Sequence, residues 1–196
     1  ATFGSYVFAG CKQLGTISLN DNITVMGDRT FSDCISLTSA NLPSVNSLGA
    51  YTFWNTPVLA TVTFGANAST TGNYTFAAYR PYGLSVPATR TALTFVILGK
   101  AITQIGDGAF FNCVNITSVD LTNCDKIGAE AFSGCIKLAI ATKLSSVKEI
   151  DAYAFYNCSA LNELNLAEAT VIGDYAFAIN SGRASYTTLN IPKAQT

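Results

Sequence analysis

A phenylalanine recurs at Phe8, Phe31, Phe53, Phe76, Phe110, Phe132, Phe155 and Phe177, at intervals of 23, 22, 23, 34, 22, 23 and 22 residues. A period of this length restricts a chain to stacked units, each covering the faces of its neighbours. Four residues before the Phe stands a glycine (Gly4, Gly27, Gly49, Gly72, Gly106, Gly128, Gly173), with Asp151 the sole exception. Six residues after it comes Leu14, Leu37, Leu59, Ile116, Leu138 or Leu161, and then pairs such as Ile17/Leu19, Ala40/Leu42, Val62/Phe64, Val119/Leu121 and Leu164/Leu166. The spacing is Leu-x-x-Leu-x-Leu, and its closing alternation is that of a short strand with one face inward. Repeated every coil, such strands stack into a parallel sheet. Eight units at about 4.8 Å each predict a curved rod roughly 40 Å long, with a core of ladders.

The tight coil suggests that the recurrent glycine adopts positive φ, and that Asp151 takes the left-handed conformation in its stead. Asp28, Asn73, Asp107 and Asp174, which follow it, suit the cap of a short helical turn carrying the Phe inward. The 34-residue interval holds about eleven extra residues, including Tyr79-Arg80-Pro81-Tyr82, after which Leu93, Val96 and Leu98 resume the pattern. A projecting loop over about residues 79–90 is expected. After Phe132, Lys143 falls where an inward residue belongs and Leu144 comes one later, which reads as a one-residue bulge.

Composition removes several function classes. The 196 residues contain no histidine, so the commonest general base and the commonest metal ligand are both missing. Eleven basic against twelve acidic residues, net −1, offer no field for nucleic acid. No apolar run approaches the roughly 20 residues of a membrane-spanning helix. Neither a calcium loop nor a phosphate loop is present, so no metal, cofactor or catalytic residue is assigned. The chain starts without an export leader and in mid-unit, which suits a fragment of something longer.

The units Ile105-Gly106-Asp107-Gly108-Ala109-Phe110-Phe111-Asn112-Cys113 and Ile150-Asp151-Ala152-Tyr153-Ala154-Phe155-Tyr156-Asn157-Cys158, each followed by the Leu-x-x-Leu-x-Leu strand, resemble the BspA-like, or Treponema-type, leucine-rich repeat. The resemblance covers nearly the whole chain. It implies a single leucine-rich-repeat domain over 1–196: a right-handed solenoid of about eight 22–23-residue coils, with short parallel strands on the concave face and short helical turns and loops on the convex side. It also implies a secreted or cell-surface bacterial protein that works in adhesion or protein binding, without a shared active site.

Five of the six cysteines (Cys11, Cys34, Cys113, Cys135, Cys158) share the place three after the Phe, and Cys124 replaces a core aliphatic. Buried free thiols are expected, since stacked coils point equivalent Cβ atoms inward side by side. Tyr6, Tyr51, Tyr74, Tyr153 and Tyr175 recur two before the Phe, with Trp54, Phe111 and Tyr156 just after it. They read as rings packed along the convex side, or else as a stripe for stacking sugars. Asp120 and Glu163, two coils apart at roughly 10 Å, are too far apart for a glycosidase pair and read as a solvated face.

The outward strand residues are small and polar (Thr16/Ser18, Ser39/Asn41, Thr61/Thr63, Ser118/Asp120, Glu163/Asn165) except for Phe95/Ile97. An apolar pair in a polar sheet marks a protein-binding patch, unless Tyr79 or Tyr82 of the loop folds over it. The expected recognition site is therefore Phe95, Ile97, Asp120, Glu163 and Asn165 with Tyr79, Arg80 and Tyr82 of the loop. Its expected partner is an extracellular protein such as a host matrix or mucosal protein. A glycan on the aromatic stripe and a structural spacer are the alternatives, and an enzymatic rod would need clustered exposed carboxylates and cations that the sequence lacks.

Overall fold

The computed structural model describes residues 1–77, 92–142, 144–180 and 188–190. Most coils contribute two strands. The longer ones line up as a wide ladder, β2 (Thr16–Ser18), β4 (Ser39–Leu42), β6 (Thr61–Phe64), β7 (Phe95–Ile97), β9 (Ser118–Asp120), β11 (Ile140–Thr142), β13 (Glu163–Asn165) and β15 (Thr188–Asn190), hydrogen-bonded in three groups: β2–β4–β6–β7, β9–β11 and β13–β15. These are the strands of the Leu-x-x-Leu-x-Leu segment. A narrow ladder, not foreseen from the sequence, runs through two-residue strands that include the apolar residue five before the Phe: β1 (Thr2–Phe3), β3 (Val25–Met26), β5 (Ser47–Leu48), β8 (Gln104–Ile105), β10 (Lys126–Ile127), β12 (Glu149–Ile150) and β14 (Val171–Ile172). All pairings are parallel, and each joins a residue to its equivalent one coil on, as in Ala40↔Val62 and Ile127↔Ile150. The result is a parallel-strand solenoid of about seven turns, close to the eight units marked by phenylalanine.

The long interval does not interrupt either ladder. Thr61 pairs with Phe95 across it in the wide one, and Thr70 bridges Ser47 to Gln104 in the narrow one. Leu93 and Val96 are buried, as the resumed pattern predicts. In the unit after Phe132, Ala141 pairs with Val119 in register, and the buried Leu144 opens a 3-10 turn over Leu144–Ser146. The bulge expected at Lys143 lies outside the described residues.

The phenylalanines form one stack from Phe8 to Phe177. Centroids of successive rings are 5.1 to 5.7 Å apart, and the planes are nearly parallel. The coil rise imposes this spacing, and the same rise keeps the turns bonded: Phe53 N donates to Thr75 O at 3.0 Å and Phe132 N to Ala154 O at 2.7 Å. The segment carrying the Phe is a run of β-turns, with bonds such as Trp54 N to Tyr51 O and Tyr156 N to Tyr153 O. These replace the short helical turns expected; among the described residues the Leu144–Ser146 turn is the only helical element. Asp28, Asn73 and Asp107 cap nothing in their own coil. Their Oδ1 atoms accept from the next one, at Ala50 N (2.8 Å), Asp107 N (3.0 Å) and Ala129 N (3.0 Å).

Positive φ falls elsewhere than on the glycine four before the Phe. It occurs two before the Phe (Tyr6, Arg29, Tyr51, Tyr74, Gly108, Glu130, Tyr153, Tyr175) and two after it (Gly10, Asp33, Asn55, Asn112, Gly134, Asn157). The recurrent glycine answers a different need. A Cβ at Gly49 would lie 2.4 Å from Asp28 N, and one at Gly128 would lie 2.4 Å from Asp107 Oδ1, so the coils approach too closely for any side chain. Asp151 has no positive φ either. Its carboxylate turns to Lys126, 3.3 Å away.

Candidate functional site

The wide-sheet face is set by strand alternation. In β7, Val96 enters the core, which obliges Phe95 and Ile97 to point out, and they remain 50% and 46% exposed. Register places them beside Thr61 and Thr63 of β6, and β9 with Ser118 and Asp120 lies on the other side. Next to the pair is a small cleft lined by Leu98, Gly99, Lys100, Ile102, Asp120, Thr122 and Asn123. Its wall is fixed by polar contacts: Asp120 Oδ1 accepts from the Thr122 amide at 3.0 Å and from the Thr122 hydroxyl, and Asn123 Nδ2 donates to Lys100 O at 2.7 Å.

The structure thus brings Phe95, Ile97 and Asp120 together. Glu163 and Asn165 are exposed on the same face, three coils or about 14 Å from Phe95. Asn165 Oδ1 accepts from Asn190 Nδ2 at 3.1 Å, an amide ladder that Glu163 borders. Tyr79, Arg80 and Tyr82 lie outside the described residues. Among those described, no three Cys, Asp or Glu side chains are grouped to hold a metal ion, and no helix is long and apolar enough to cross a membrane.

The cysteines occupy the column read from the sequence. Cys34, Cys113, Cys135 and Cys158 are buried, and each Sγ donates to the carbonyl of the phenylalanine one coil back, at 3.2, 3.3, 3.1 and 3.1 Å. Burial pushes Cys34 and Cys124 up to about 11 and Cys158 up to about 12. Such thiols are poor nucleophiles and are suited to packing. Cys11 departs from the expectation: it belongs to the first coil, and it is exposed.

At the turns the aromatic residues pack on one another. Tyr51 stacks on Tyr74 at 5.3 Å and Tyr153 on Tyr175 at 5.1 Å, while Trp54 is buried. Each stacked pair covers one face of each of its rings. The row also contains a cation that sequence reasoning passed over. Arg29, two before Phe31, sets its guanidinium 4.4 Å from the Tyr51 centroid.

Coils of this length, with a glycine, a stacked phenylalanine and two parallel strands in each, are matched by the family described as the BspA type leucine rich repeat region, in six copies over residues 1–83 and 88–196. The chain belongs to this family. Among solved structures, the BspA-type chain is similar to a leucine-rich-repeat protein of Treponema pallidum, with a TM-score of 0.63 at 20% identity over 98% of this chain and 80% of that one. A leucine-rich-repeat protein of Bacteroides ovatus matches at 22% identity and TM-score 0.43, over 91% of this chain and 57% of that one. A leucine-rich cell surface protein of Faecalibacterium prausnitzii matches at 15% and 0.46, over 99% and 55%. No curated protein matches the BspA-type chain.

Proposed function

We propose that this leucine-rich-repeat chain is a non-enzymatic protein-binding module of a bacterial surface or secreted protein, and that it holds an extracellular partner on the wide-sheet face. The observation that carries the reading is the Phe95/Ile97 pair, half exposed on a strand whose neighbours present Thr61, Thr63 and Ser118. Apolar anchors ringed by small polar groups are the usual centre of a protein interface. Asp120 and the cleft beside it extend this surface, and Glu163 and Asn165 continue it along the rod. A host matrix or mucosal protein is the partner class first to test, and the family's bacterial surface setting supports it.

The experiment is a binding screen of the purified chain against immobilised matrix and mucosal proteins, with a glycan panel alongside. A Phe95→Ser/Ile97→Ser variant and a deletion of residues 79–90 complete the set. Loss of two anchors is expected to weaken a protein hit at least about 10-fold. A protein hit unaffected by the double substitution refutes the site. Binding to glycans alone favours the aromatic row and refutes the wide-sheet reading. Silence on both panels favours a spacer.

A further inference from the structure

Alignment of the coils on their stacked phenylalanine sets two stretches side by side. In the N-terminal coils the Arg29 guanidinium lies 4.4 Å from the Tyr51 centroid, with Trp54 at 5.8 Å and Tyr6 at 6.0 Å, and Tyr74 covers the other face of Tyr51. In the C-terminal coils Tyr153 stands where Tyr51 does, Tyr175 where Tyr74 does and Tyr156 where Trp54 does. Tyr175 stacks on Tyr153 at 5.1 Å, and Tyr156 meets it edge-on at 5.5 Å. The position of Arg29 is taken by Glu130, with the same backbone (φ 56° against 54°), and that of Tyr6 by Gly108. The aromatic frame is repeated, but the cation is replaced by a carboxylate.

We propose that Glu130, Tyr153, Tyr156 and Tyr175 receive the guanidinium of an arginine presented by a protein partner. The chain already applies this chemistry to its own Arg29: a planar cation lies over a tyrosine whose far face is backed by a second ring. Glu130, one coil or about 5 Å from Tyr153 along the row, adds a charge-assisted contact that the N-terminal copy lacks. Tyr153 and Tyr175 are 39% and 62% exposed, so the frame is open. The ion pairs of the described residues join Lys126 and Lys148 to Asp125, Glu149 and Asp151 and leave Glu130 without a cation. Guanidinium is favoured over ammonium because a flat, weakly hydrated cation matches the ring face. This surface lies at the turns and stands independently of the wide-sheet face.

The test is a titration with N-acetyl-arginine amide, followed through the tyrosine ring signals by NMR, with the lysine amide and the neutral citrulline amide as controls. Saturable shifts confined to Tyr153, Tyr156 and Tyr175 are expected, with arginine at least about 3-fold tighter than lysine and no response to citrulline. Glu130→Gln is expected to weaken arginine binding about 3- to 10-fold. Glu130→Arg supplies internally the cation found in the N-terminal coils and should abolish the response; its backbone is one that Arg29 already adopts, and a denaturation curve checks its fold. No saturable response, an equal response to citrulline or lysine, or an unchanged response in either variant overturns the proposal. If Glu130→Arg does not fold, Glu130→Gln carries the test alone.

Discussion

The position three after each phenylalanine shows how one side chain serves both filling and bonding. Cys34, Cys113, Cys135 and Cys158 occupy volume in the core, and their thiols reach a carbonyl of the neighbouring coil, whereas Thr56 in the same column turns back to Phe53 O at 2.7 Å. A thiol reagent should therefore modify Cys11 alone in the native chain and all six cysteines after denaturation, read as the count of reactive thiols. The raised thiol values also set an alkaline limit. A buried thiol holds its proton more tightly when folded than when unfolded, so its contribution is whole below the unfolded value of 9.0 and is lost as pH climbs towards about 11 for Cys34 and about 12 for Cys158. The urea midpoint should be level up to pH 8 and fall above pH 9. The cysteine column was legible because its period is that of the phenylalanines. The positive-φ positions were not, because Tyr, Arg, Glu, Asn and Asp stand there and glycine only occasionally.

Between neighbouring coils, the deciding quantity is clearance. Gly128→Ala places a Cβ 2.4 Å from Asp107 Oδ1 and 2.8 Å from Asp107 N, and forcing the coils apart should cost about 2 kcal/mol or more. Asp151→Gly restores the usual residue at the same place and removes one exposed contact to Lys126, so its effect should stay within about 1 kcal/mol. Denaturant curves of the two variants check the contrast. The wide ladder could be read in advance because three or four residues of alternation give a pattern. The narrow one could not, since a two-residue strand such as Lys126–Ile127 offers one inward residue and no alternation, and Thr70 contributes a single residue bridged on both sides. Phe95 and Ile97 were found by the same alternation that exposes them. The Arg29–Tyr51 contact joins residues 22 apart in sequence, so only a comparison of columns across coils would have revealed it, and with it the exchange of Arg29 for Glu130.

Over the whole molecule, the ladders make the stack indifferent to what is inserted at its margin. Thr61 pairs with Phe95 and Tyr74 N bonds Asp107 O at 2.7 Å as if no residues intervened. Deletion of residues 79–90 should thus change unfolding free energy by less than about 1 kcal/mol, because loop closure depends only weakly on length. A urea titration of the deleted chain tests this. The inter-coil bonds of this rod run along its axis. Tension applied at the two ends therefore loads them one rung at a time, and the chain should yield under modest force in steps, each freeing one coil and lengthening the molecule by about 70 Å. In a force–extension trace one step would stand apart: the coil holding the 34-residue interval pays out about 110 Å, a built-in fiducial mark partway along an otherwise regular tether.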